Sequence, residues 1–279
     1  MGFQLWFSEK TKIARRGTTF AEMQQIFIDN ITTKLIYEPL ACCRINDNVK
    51  EVKTTMNARE FDTIGVIDEK DKKLGYIKYN EITGSKIANF TIPFTIQDII
   101  SDSTPISDLL DLLEEKEQLY VIVKNSIEGI VTRADINKPI IRIYLFGIIS
   151  LFELHLNFWI TQYYPEEVWR NLISNERFEK AKLLYELRKG NNSQLSLLEC
   201  LQLCDKKSIL VTTDKFMNQF TFTKSSFKKL LENCETLRNE IAHSQNSIIL
   251  NLEWKSFVMT IASLKKFLDL SEKTRRNSN

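Results

Sequence analysis

Apolar positions along this chain change period near residue 139. Before that point they come in short strand-like runs, parted by polar turns and by stretches with helical spacing. A short strand ends near Ile45, and Asn46-Asp47-Asn48 opens a helix with Val49, Val52 and Met56 on one side. TIGVID (63–68) and LGYIKY (74–79) read as strands around the polar turn EKDKK, and Asn80 starts another helix. STPISDLLDLLEEKEQ then predicts a helix, with Pro105 at its start and Ile106, Leu109, Leu110 and Leu113 facing inward. LYVIVK (119–124) and GIVTR (129–133) follow as strands, and Asp135 stands at the next helix start. After Lys138-Pro139 the pattern is helical throughout, in blocks near 140–163, 165–188, 195–208, 224–243 and 252–270. ILVTTDKF (209–216) is a weak strand candidate within them. Breaks fall at Tyr164-Pro165, at GNNSQ (190–194) and at HSQNS.

The first half repeats itself. IGVIDEKDKKLGYIKYNEI (64–82) aligns with YVIVKNSIEGIVTRADI (120–136), and Gly75 and Gly129 take the same place. Such a repeat implies two copies of one βα unit packed together. GIVTRADI, with glycine, two apolar residues, a hydroxyl, two further residues and aspartate, resembles the strand end of CBS domains. The resemblance covers about 20–138 and implies a tandem CBS pair, or Bateman module, with an adenine nucleotide (AMP, ADP or ATP) or a related adenosine ligand between its copies. It places Thr132 on phosphate and Asp135 on the ribose hydroxyls, with Arg133 and Lys78 as further ligand contacts. A helix start favours phosphate and a carboxylate suits a diol, although a plain helix cap is the other reading of Asp135. The first copy departs from the pattern, with Lys78 at the hydroxyl position and Glu81 at the aspartate position.

The second half carries LRNEIAHS (237–244) near the end of a late helix. Arg238 and His243 are five residues apart, which separates them by about 140° on an ideal helix. A two-fold axis would instead bring two arginines and two histidines to one cleft. Arginine, a polar residue and a later histidine at a helix end resemble the motif of the HEPN family, whose members include metal-independent endoribonucleases acting as homodimers. The resemblance covers about 140–270. It makes His243 the general acid or base, Arg238 the phosphate ligand and Asn239 an orienting group, with Glu153 of the first helix in support. The expected products are a 2′,3′-cyclic phosphate and a 5′-hydroxyl, without a catalytic metal. Gln245 stands where some HEPN toxins carry a tyrosine that is modified by an antitoxin.

Composition narrows the setting. The 279 residues carry a net charge of +2 and 43% hydrophobic residues, so a core is affordable and no global basic field announces nucleic acid. Basic character is local, at Lys224, Lys228, Lys229, Lys265 and Lys266, where an RNA backbone or plain solvent would serve. Phe216, Phe220 and Phe222 fit base stacking or core packing. The five cysteines, with Cys42 and Cys43 adjacent, form no disulfide framework and imply a reducing, cytoplasmic setting. Cys200 and Cys204, four apart in LLECLQLC, are expected on one helix face as core packing. MGFQLWFSEK is no secretory signal. The apolar stretch 140–160 is long enough to span a bilayer, but Arg142, Glu153 and His155 favour a buried helix over a membrane span.

Together these readings predict an α+β chain: a tandem CBS (βαββα) pair over 1–138 and an all-α HEPN bundle over 139–279. The function they imply is an adenine-nucleotide-regulated endoribonuclease, a homodimer acting on RNA in stress or antiviral defence. The competing class is an inactive nucleotide sensor whose bundle serves dimerisation or partner docking.

Overall fold

The computed structural model describes residues 19–190, 195–243 and 247–277. MGFQLWFSEK, Gln245 and most of the breaks at GNNSQ and HSQNS lie outside the described residues. The chain forms two compact units, one of Ile28–Ile140 and one of the described residues through Phe27 together with those from Ile141 onward. The mixed α+β character and the helical second half agree with the sequence reading.

After helix α1 (Phe20–Asn30), the first unit builds two three-stranded copies. β1 (Glu38–Pro39) is followed by β2 (Cys42–Arg44), α2 (Val49–Ala58), β3 (Thr63–Ile67) and β4 (Lys73–Lys78). The second copy is β5 (Ile99–Ser101), α3 (Ile106–Glu115), β6 (Gln118–Val123) and β7 (Ser126–Thr132). In each, the first strand pairs parallel with the second and the second antiparallel with the third. Matched bulges fall between Val66 and Ile67 and between Val121 and Ile122. Asn48 caps α2 by accepting from the Lys50 N–H, and Val49, Val52 and Met56 face the core as their spacing requires. Ile106, Leu109, Leu110 and Leu113 of α3 are buried, each contributing about 1.5–3 kcal/mol of apolar burial.

The two copies exchange edges. β1, which precedes the first copy, pairs with β7 of the second, opposing Pro39 to Gly129. Ile92, which precedes the second copy, bridges Tyr76 on β4 of the first, through N–H donations of 2.9 and 2.8 Å. This explains the matched glycines. A Cβ on Gly75 would sit 2.2 Å from the Ile92 carbonyl oxygen, and one on Gly129 would sit 2.2 Å from the Tyr37 ring. Each glycine clears the path of the segment that crosses over.

The helical unit is laid around α4 (Pro139–Tyr163). By length and composition α4 could cross a membrane. Its Ile141, Tyr144, Leu145, Ile148, Phe152, Leu156 and Ile160 are buried within the unit. A 3-10 stretch, Pro165–Leu172, leads to α5 (Asn175–Lys189). Then come α6 (Leu203–Val211), α7 (Asp214–Gln219), α8 (Lys224–Ala242) and α9 (Trp254–Asn277). The start of α1 belongs here and not with the first half: Phe27 packs on Tyr144 at 4.7 Å, and the Phe20 N–H meets Glu272.

Two local expectations change. The block at 195–208 is a 3-10 turn, Leu197–Cys200, capped by Ser196 and Glu199, and then α6, which starts with its own Gln202/Asp205 capping box. Cys200 and Cys204 therefore sit on different elements. ILVTTDKF is the end of α6 and the start of α7, because Thr212 and Thr213 turn their hydroxyls back to helix carbonyls.

Candidate functional site

Between the two copies of the first unit lies a mixed aromatic seam. Tyr76, Phe94 and Tyr120 pack with centroids 4.7 to 5.7 Å apart. The Tyr120 hydroxyl joins the Thr63 hydroxyl at 3.0 Å and accepts from Gln118 at 2.8 Å. Burial pushes the Tyr120 phenol well above its ordinary range.

At the end of β7, Thr132 and Asp135 come together. The Thr132 N–H and hydroxyl both donate to Asp135 Oδ2, at 2.7 and 3.1 Å, forming a capping box for the 3-10 turn Arg133–Asn137. Asp135 Oδ1 faces Lys138 Nζ at 2.9 Å. Lys138 also meets the Glu38 carboxylate and the Ile36 carbonyl. Burial works against the charge on Lys138, yet the bonds to Glu38 and Asp135 outweigh it and raise its pKa. Arg133 points elsewhere: its Nε and Nη2 donate to the Leu113 and Glu114 carbonyls at 3.1 and 2.9 Å, closing the end of α3. In the first copy Lys78 faces Glu81 at 3.5 Å, both half exposed.

In the helical unit the end of α8 is fixed from three sides. Arg238 Nη1 lies 3.0 Å from Glu153 Oε1 on α4. Arg142 Nη1 reaches the Glu240 carbonyl at 3.5 Å. The buried Glu240 carboxylate accepts from the Asn251 N–H and side-chain amide, both at 2.9 Å, and so ties the following loop to the helix. Asn239 and His243 remain exposed. They are four residues apart and share a face, and the His243 N–H donates to the Asn239 carbonyl at 3.0 Å, so helical bonding holds to the histidine.

Residues 97–141 match the CBS domain. That range runs from just before β5 through the start of α4, and so spans the second copy with its Thr132 and Asp135. The solved structures that the chain resembles include CBS-pair proteins. CBSX2 from Arabidopsis thaliana aligns at 18% identity and a TM-score of 0.35, over 40% of this chain and 96% of that one. CBSX2 in complex with AMP gives 18% and 0.36, over 40% and 98%. The CBS domains of a transcriptional regulator from Streptococcus pneumoniae give 20% and 0.34, over 39% and 98%. No curated protein matches the chain.

Of the four residues that the CBS resemblance marks as ligand contacts, the structure joins Thr132 and Asp135 and sends Arg133 and Lys78 to other partners. It joins Arg238 with Glu153 and leaves Asn239 and His243 on the adjacent open face. Lys224, Lys228 and Lys229 lie in the first turns of α8, about 20–30 Å along the helix from His243. Phe216 and Phe220 are buried in the core, and the half-buried Phe222 packs on Phe227 and Phe267. His155 is fully buried, with Nδ1 2.7 Å from the Ser271 hydroxyl, and burial lowers its pKa to about 3. Sequence reasoning missed Lys138, Glu240 and Lys206. Lys206 is buried 3.6 Å from Glu153 Oε2, and nothing in DKKSIL separates it from the lysine beside it.

Proposed function

We propose that the chain is a nucleotide-regulated, metal-independent endoribonuclease of HEPN type that works as a homodimer. The CBS domain match carries the regulatory half, because CBS domains commonly bind adenine nucleotides as regulators. The ligand residues are Thr132 and Asp135. A ribose diol would compete with Lys138 for Asp135 Oδ1, and Lys138 supplies positive charge toward phosphate.

One observation carries the catalytic half: Arg238 sits on the Glu153 carboxylate at 3.0 Å while Asn239 and His243, four residues apart, share an exposed face at the end of the same helix. Glu153 holds the guanidinium in place, and the anchored helix end presents the histidine to solvent. In the reaction the ribose 2′-hydroxyl attacks the adjacent phosphorus and His243 takes its proton. The P–O5′ bond breaks as the P–O2′ bond forms, and the His243 of a second copy gives a proton to the leaving 5′-oxygen. Arg238 and its symmetry mate balance the charge on the phosphoryl oxygens. The products are a 2′,3′-cyclic phosphate and a 5′-hydroxyl. Incubating the full chain with single-stranded RNA in EDTA, with and without AMP, ADP or ATP, tests this reading. Cyclic-phosphate ends whose yield changes with nucleotide support it, and intact RNA under every condition removes it.

A further inference from the structure

Glu153 has two cationic neighbours of different character. Lys206 lies 3.6 Å from Oε2 with only 3% of its side chain exposed, whereas Arg238 lies 3.0 Å from Oε1 with 30% exposed. The lysine is enclosed by the bundle and has no route to a substrate. The arginine stands at the surface. We infer that Lys206 is the standing counterion of Glu153, which frees Arg238 to exchange that carboxylate for a phosphate. The inference rests on the reading of Arg238 as a phosphate ligand.

Were Arg238 the only cation here, its departure would strand a carboxylate that is 22% exposed and whose charge is felt at the buried Cys234 thiol. A stranded carboxylate is costly, so the arginine would be held. Burial pushes the Cys234 thiol far up, and the Glu153 charge adds to that push, which places the carboxylate's field inside the bundle. Burial likewise lowers the Lys206 pKa, and the Glu153 charge 3.6 Å away opposes that shift. With Lys206 in place the carboxylate remains balanced when the arginine leaves. Lys206 touches no substrate and is a positioning residue.

The test uses the full-length protein and a fluorescent single-stranded DNA, which offers phosphates but no 2′-hydroxyl to attack. Lys206→Met should weaken DNA binding by about tenfold, because Arg238 becomes the sole partner of Glu153. Lys206→Arg should bind within about twofold of wild type. The decisive variant is Lys206→Met with Glu153→Gln, which removes the charge that traps Arg238 and should restore binding. A mere packing role for the lysine predicts no such rescue. Melting curves of each variant confirm that the fold is retained. Unchanged binding by Lys206→Met, failure of the double variant to recover, or no binding by wild type overturns the inference. Wild type that binds DNA yet leaves RNA intact removes the ribonuclease reading and leaves the role of Lys206 standing.

Discussion

Glu153 and Arg238 lie 85 residues apart in sequence and 3.0 Å apart in space, joining the first long helix of the bundle to the end of α8. The pair is asymmetric in what each loss exposes. Glu153→Ala leaves Lys206 buried without a carboxylate, a change that costs about 3 kcal/mol or more. Arg238→Ala leaves Glu153 still facing Lys206 and costs under about 1 kcal/mol. Urea denaturation of both variants checks the order, and equal losses would contradict it.

The crossover glycines make a second contrast. Gly75→Ala drives a methyl toward a backbone oxygen, and Gly129→Ala drives one toward the Tyr37 ring. Backbone cannot step aside as a side chain can. Gly75→Ala is expected to destabilise the first unit by about 2–3 kcal/mol and Gly129→Ala by less, read by thermal melting.

Asp135 bears two roles that a pair of substitutions separates. Asp135→Ala removes the cap on Thr132 and costs about 1 kcal/mol. Asp135→Asn keeps an acceptor for Thr132 and loses only charge toward Lys138, which retains Glu38. Both should weaken nucleotide binding by about tenfold or more in calorimetric titration. Normal affinity in both would place the ligand elsewhere.

His155 makes stability depend on pH. Its folded pKa, about 3, lies below the ordinary 6.5, so the folded form stays neutral while the unfolded chain takes up a proton. The stabilisation is full above pH 6.5 and is lost as pH falls toward 3, by about 1 kcal/mol per pH unit. His155→Gln removes that slope. Urea denaturation at pH 7 and pH 5 should show wild type losing more stability than the variant over the interval.

The repeat was legible in sequence because each copy carries its own strands, turn and glycine at matched places. The exchange of edges was not, since β1 is two residues long and its partner lies about 90 residues away. Glu153 could be chosen because the HEPN resemblance implies a supporting carboxylate in the first helix of the bundle, and it is the carboxylate that helix carries. Lys206 could not, because its neighbour Lys207 has the same chemistry and pairs at the surface with Glu232. The break between Leu197–Cys200 and α6 was hidden for a different reason: no glycine or proline marks it, and successive capping boxes do the work instead. Nor does the sequence reveal that Arg133 closes a neighbouring helix, since the same residue type would also suit a phosphate.

The central claim is that the end of α8 cuts RNA, and His243 decides it. His243 is exposed, so replacing it with alanine leaves the core untouched. The account predicts that wild type yields 2′,3′-cyclic phosphate ends from single-stranded RNA in EDTA. It predicts that His243→Ala lowers that rate by about a hundredfold or more at an unchanged melting temperature. Cleavage by His243→Ala at the wild-type rate, or cyclic-phosphate ends from neither protein, would contradict it.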